Sequence, residues 1–355
     1  LEAKSLSSHP SAKVQFYKGY VQDFQELVLS NPTICPLAEP RYREAINEYS
    51  RRYAGTLREF RENRETHTDE SPLIAASGPE NLPEEEAYII IEIGHWLNNR
   101  DRQINLALDM YDIVLAHYSG SGHLVEHNVL GSRGVAFFSK GEYDASERLF
   151  ELALGIEQSP ELFGNLGASR AMSGQYREAA NAYEDAFELE NKSVDSDTRK
   201  LYGMKKAEAY ALILQGLLLD EPKGLTERAQ TNYETAINIL TSLERGTADL
   251  EDSFTKKLVE SDDYFQAALG TAYYYTGNEE MSKTRLQNAL SINSKNLISL
   301  EFMAALENGK NPESFILRDQ RHNFFTNPIP HDVGHDPILE VRHDNFYCGS
   351  EDGRA

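Results

Sequence analysis

The sequence predicts an all-α protein built from stacked pairs of helices. Three observations carry this. Apolar residues recur at three- and four-residue intervals, β-branched alternation is almost absent, and a set of small residues returns at a fixed interval. With 355 residues, 40% hydrophobic and 26% charged, the chain can bury a large core or two ordinary ones.

In chain order, residues 12–29 place Phe16, Tyr20, Phe24 and Leu27 along one helical stripe. The prolines of "SNPTICPLAEP" then break the helix. Residues 41–65 form a second, charged helix with Ile46, Tyr49, Tyr53 and Leu57 on one side, so 1–66 reads as an N-terminal helical pair. The Ser/Pro/Gly-rich stretch 67–83 reads as a linker. Its end, "PEEE" at 83–86, supplies a proline and an acidic first turn, a good helix start.

From residue 84 to 308 the pattern repeats. Gly134, Gly141, Tyr143, Phe150 and Ala153 fall 33 residues before Gly167, Gly174, Tyr176, Tyr183 and Ala186. It returns at Gly270, Tyr273, Gly277, Ser282, Leu286 and Ala289, and its second half at Ala229, Tyr233 and Ala236. A first copy, with Gly94, Ala107, Tyr111 and Val114, fits with a one-residue slip. Two helices pack closely only where one offers small side chains at the crossing, so the small residues mark the crossings and the bulky ones fill the space between pairs. Gly141, Gly174 and Gly277 should end the first helix of each pair in the left-handed conformation. Residues 296–308 read as a capping helix, and 309–355 as an extended tail.

On Leu166-Gly167, Ala179, Tyr183, Ala186 and Leu269-Gly270, Tyr273, Leu286, Ala289, the chain resembles the tetratricopeptide repeat family over residues 87–308. The resemblance implies a right-handed α-solenoid of about five helix-turn-helix repeats, with a concave groove lined by the first helix of each pair. It also implies that the groove takes peptides or helices of other proteins. Carried over by position, the groove residues are Asn128, Val135, Phe138, Glu161, Asn165, Ala168, Tyr264, Thr271, Tyr274 and Tyr275. The carboxylate clamp of some family members is not expected, because Gly131, Val135, Gly164 and Ala168 stand at its positions and only Asn165 fits.

Charge narrows the partners. Of a formal net charge of −22, residues 1–68 carry almost none (10 basic against 9 acidic), while the remainder carries 25 against 48. Such a body repels phosphate backbones and anionic lipid, which leaves proteins, basic ones included, as partners and excludes nucleic acid. The most apolar stretch, residues 209–219, is too short to span a bilayer. Cys35 and Cys348 make no disulfide framework. The compartment expected is intracellular and soluble: cytoplasm, or an organelle interior after removal of a leader, since the chain begins at Leu1.

Two patterns invite chemistry. "HLVEH" at 123–127 matches the H-x-x-E-H zinc-protease pattern, with His123 and His127 as ligands and Glu126 as base. It sits at a helix start after "SGSG", which favours coincidence. The tail gathers His331, His335, His343, Asp332, Asp336 and Asp344, but Pro328, Pro330, Pro337 and Gly334 argue against a helix that would align them. No catalytic residue, cofactor or metal is therefore expected. The tail's Phe324, Phe325, Phe346 and Tyr347 suit docking, either back on the repeats or on another subunit. The leading expectation is a non-enzymatic scaffold, possible subunit of a larger assembly. A regulatory peptide-binding module is the alternative, and a zinc hydrolase the remote one.

Overall fold

In the computed structural model, residues 47, 49–54, 58, 82–99, 103–192, 198–220, 226–245, 258–309 and 311–325 are described. They fall into two compact units, divided between Glu157 and Gln158. Among the described residues every regular element is a helix.

The first unit holds two helical pairs: α1 (Glu84–Asn99) with α2 (Ile104–Tyr118), and α3 (Leu124–Lys140) with α4 (Tyr143–Ile156). The turn containing Tyr49 and Tyr53 belongs to it. Both tyrosines are buried, Arg52 Nη1 pairs with Glu86 Oε1 at 2.6 Å, and the Tyr53 ring meets His117 edge-on. The face expected at Tyr49 and Tyr53 is thus the packed one. The rest of the N-terminal pair and the linker lie outside the described residues.

The second unit holds three pairs: α5 (Pro160–Met172) with α6 (Tyr176–Asn191), α7 (Thr198–Asp220) with α8 (Glu227–Arg245), and α9 (Asp263–Tyr275) with α10 (Glu279–Ile292). The capping helix α11 (Leu297–Asn308) follows, then two short helices, α12 (Ser314–Asp319) and α13 (Arg321–Phe325). The described residues thus form five helical pairs, two in one unit and three in the other.

Within each pair, one glycine faces one bulky side chain. Gly94 faces Tyr111, Gly134 faces Phe150, Gly167 faces Tyr183, Gly216 faces Tyr233, and Gly270 faces Leu286. A methyl group at Gly134 would come 2.5 Å from the Phe150 ring, and one at Gly216 would come 2.6 Å from Tyr233, well inside contact distance. The contact requires the bulk of the partner and not its polarity. The Tyr111 and Tyr183 hydroxyls are buried without a hydrogen-bond partner, and Phe150 and Leu286 occupy the same place. In two pairs a serine reinforces the crossing: Ser146 Oγ donates to Gly134 O, and Ser282 Oγ to Gly270 O, each at 2.8 Å. In α3 and α4, His127 lies beside Ala153 while Gly134 lies beside Ser146, so the helices run antiparallel.

The short turns follow one scheme. Gly141, Gly174 and Gly277 have φ of 80°, 87° and 76°. In each case the next residue's N–H reaches back to the carbonyl five residues earlier: Glu142 to Phe137, Gln175 to Arg170, Asn278 to Tyr273. This satisfies carbonyls that the helix end would leave bare. Side-chain caps start the next elements: Ser159 on Leu162 N ahead of Pro160, Asp262 on Phe265 N, Asn278 on Met281 N and Asn296 on Ser299 N.

The clash distances rank the glycines. Gly134→Ala and Gly216→Ala should each destabilise by about 1–3 kcal/mol, the usual cost of overpacking. Gly167→Ala, whose methyl would meet Tyr183 at 3.0 Å, should cost least. Urea unfolding of the three single variants checks the order.

Candidate functional site: the first-helix faces

In the first unit, the face of α1 and α3 carries the candidates Asn128, exposed, with Val135 and Phe138, half-buried. Phe138 meets Tyr143 edge-on at 5.3 Å. Polar bonds tie the two helices: His95 Nε2 lies 2.5 Å from Ser132 Oγ, and Asn98 Nδ2 donates to Ser139 Oγ at 3.5 Å. Glu92 Oε1 stands 3.5 Å from His95 Nδ1, which completes a serine–histidine–carboxylate trio.

The trio is wired the wrong way for nucleophilic catalysis. Ser132 has a single hydroxyl proton and gives it to Asn128 O at 2.7 Å. His95 Nε2–H must therefore donate to Ser132 Oγ, the reverse of what a general base requires. Ser132 also lies inside α3, where neighbouring N–H groups are spent on the helix and cannot stabilise an oxyanion. A buried ion pair, Arg133 Nε to Asp112 Oδ1 at 3.4 Å, ties α3 to α2 behind this face.

The residues of "HLVEH" do not converge either. His123 Nδ1 accepts from Val125 N as the α3 cap, and His127 Nδ1 lies 3.1 Å from Ala153 O. The Glu126 carboxylate accepts from Gly120 N at 2.5 Å and Gly122 N at 2.8 Å. His123 and Glu126 organise the turn before α3, and His127 ties α3 to α4. Among the described residues no cluster of three His, Cys, Asp or Glu is placed to hold a metal.

In the second unit, the candidates lie on α5 and α9. Glu161 is exposed and pairs with Lys200 Nζ at 2.5 Å, Asn165 is half-buried, and Ala168 and Thr271 are buried. Tyr275 stacks on Tyr233 at 4.8 Å, and both Tyr274 and Tyr275 meet Phe302 of α11 edge-on. Those two rings therefore pack on the capping helix. Tyr264 instead faces the chain's own C-terminal segment. It meets Phe324 edge-on at 5.3 Å and donates to Gln320 Oε1 at 3.2 Å.

The centre of this face is a residue that sequence reasoning missed. Tyr210 of α7 is fully buried, lies flat on Phe324 (centroids 3.3 Å, planes 2° apart), and donates to Leu317 O at 2.6 Å. Phe325 stacks on Tyr183 at 6.1 Å. Burial raises the Tyr210 hydroxyl well above its ordinary pKa, so it stays a donor. The clue was present in the sequence. Asn128, Glu161 and Tyr264 each stand six residues before a crossing glycine, and Tyr210 stands six before Gly216. Phe324 and Phe325, expected in a docking tail, are the segment's buried anchors; Phe346, Tyr347 and the tail His/Asp cluster lie outside the described residues.

Beneath the face, α7 is locked to α9 by a buried network. Lys206 Nζ reaches Asp262 Oδ2 at 2.6 Å, Tyr202 donates to the same oxygen at 2.9 Å, and Asp262 Oδ1 caps α9. Lys206 and Asp262 are each only 2% exposed. Burial, then the Asp262 charge, push the Tyr202 hydroxyl well above its usual pKa, so it too remains a donor.

No protein-family model and no curated protein matches the chain. Among solved structures it is similar to YrrB, described as a TPR protein with an unusual peptide-binding site, at 17% identity and a TM-score of 0.42. That match covers 61% of this chain and 91% of YrrB. It is also similar to BtubC (BKLC) from P. vanneervenii at 16% identity and a TM-score of 0.41, over 77% of this chain and 94% of that one. No helix among the described residues is long and apolar enough to cross a membrane.

Lys206→Met should cost about 3–5 kcal/mol, because it strands the Asp262 carboxylate in the interior. Adding Asp262→Asn, which can keep the cap and the Tyr202 bond, should recover most of that. Urea melts of the single and double variants test the pair.

Proposed function

We propose that the chain is a non-enzymatic scaffold that binds partner proteins through the first-helix faces of its paired helices, as a subunit of a larger assembly. One observation supports this most directly. The α5/α7/α9 face already grips a short helical segment, residues 314–325, and does so with side chains from separate helices. A surface that orders one short helix by aromatic stacking has the properties needed to hold another. The reading is strengthened by the wiring of Ser132 and of "HLVEH", whose polar atoms are committed to the fold.

A photo-crosslinking residue in place of Asn128, on the exposed part of α3, should give a discrete protein adduct in native extract. The same residue in place of Leu152, 56% exposed on the second helix of that pair, should not. Equal labelling from both positions would count against a face-specific scaffold.

A further inference from the structure

We propose that residues 314–325 are an exchangeable occupant, and that the face beneath them recognises a partner helix bearing two adjacent aromatic side chains. This rests on the scaffold reading above and specifies what one of its faces selects.

The segment does not sustain itself. Its helices are 6 and 5 residues long, far below the length at which an isolated helix is stable in water, so the face supplies its order. Its hold is confined to one side. Leu317, Phe324 and Phe325 are buried, while Phe315 is 54% exposed. The Tyr210 hydroxyl bond to it ends on a main-chain carbonyl, an acceptor that does not depend on side-chain identity, while that of Tyr264 ends on the Gln320 side chain.

Much of the host's architecture involves no residue of the segment. The crossings at Gly216 and Gly270, the Lys206–Asp262 pair, and the Tyr233–Tyr275–Phe302 cluster are built from host residues alone. The segment's attachment is a short connector that begins at Gly309, at φ 62°, and passes through Pro312.

The seated segment points to the class of competitor. Phe324 and Phe325 are its buried anchors, held by Tyr210, Tyr264 and Tyr183. A face that holds a doubly aromatic helix in cis selects the same chemistry in trans. The cis copy lowers the apparent affinity for a competitor by the fraction of time the face is closed.

The test uses the full chain and a labelled synthetic peptide of residues 313–326. Phe324→Ala/Phe325→Ala weakens the cis copy, and the peptide should then bind about tenfold or more tightly than to the wild type. A peptide with both phenylalanines replaced by alanine should not bind. Should the double variant fail to fold, Tyr210→Phe decides. It removes only the bond to Leu317 O, and amide exchange across 314–325 should accelerate severalfold while α7 to α11 stay protected.

Equal, or absent, peptide binding to wild type and double variant overturns the proposal, as does exchange of 314–325 only together with the whole unit. A dimer formed by trading the segment, seen by mass in solution, would also overturn it, since the occupant would then be a second copy. If the exchange fails while the crosslink from position 128 still marks a protein, the scaffold reading survives and this one falls.

Discussion

The architecture depends on one contact: a glycine on one helix lying under a bulky side chain of the next. Two helices carrying ordinary side chains at their crossing must stand apart, and the partner ring then has nowhere to seat. Removing one Cβ lets Tyr111, Phe150, Tyr183, Tyr233 or Leu286 lie across the opposing backbone. The close approach also brings serine within reach of the glycine carbonyl, as Ser146 and Ser282 show. The pair's spacing, its reinforcement and the line of its first-helix face follow from that absence.

The same contact explains what the sequence made legible. Backbone geometry enforces both the crossing glycines and the turn glycines, so they recur at a fixed interval and mark the pairs without any structure. Gly216 escaped because its partner Tyr233 lies 17 residues on, where Gly134, Gly167 and Gly270 reach theirs in 16. Gly94 and Tyr111 share the longer offset, which is the one-residue slip of the first copy. A strict period hides any pair whose connecting turn is longer. Losing Gly216 also meant losing Tyr210, since the face is numbered from the glycines. The apolar stretch around it, weighed only as a membrane segment, is the first helix of the fourth pair. The docking of Phe324 and Phe325 could not be read at all, because a tail's destination is set by a surface that exists only after folding.

Aromatic residues serve two demands in the second unit. Tyr183 fills the crossing with Gly167 and also stacks on Phe325, and Tyr275 joins Tyr233 to the capping helix. Flat rings can share faces in this way because each burial excludes water without requiring a directional bond. A face assembled from such rings is specific in shape and tolerant in chemistry. It holds a helix by the placement of its aromatics.

That tolerance bears on why the fold offers binding more readily than catalysis. A reaction centre needs free N–H donors or polar side chains aimed at one point in space. In hairpins with short turns, backbone N–H groups are spent on helices and Gly-closed turns, and the polar side chains close to them are spent on caps. His123, Asp262, Asn278 and Asn296 each hold a helix start, and Ser132 returns its proton to its own helix. What is left within each unit is the outer side of the first helices, where the side chain at a given position changes from pair to pair. Asn128, Glu161, Tyr210 and Tyr264 stand at one register and share no reactivity. In the second unit, where Tyr210 and Tyr264 hold Phe324, such a face reads a helix laid against it by the side chains it places there.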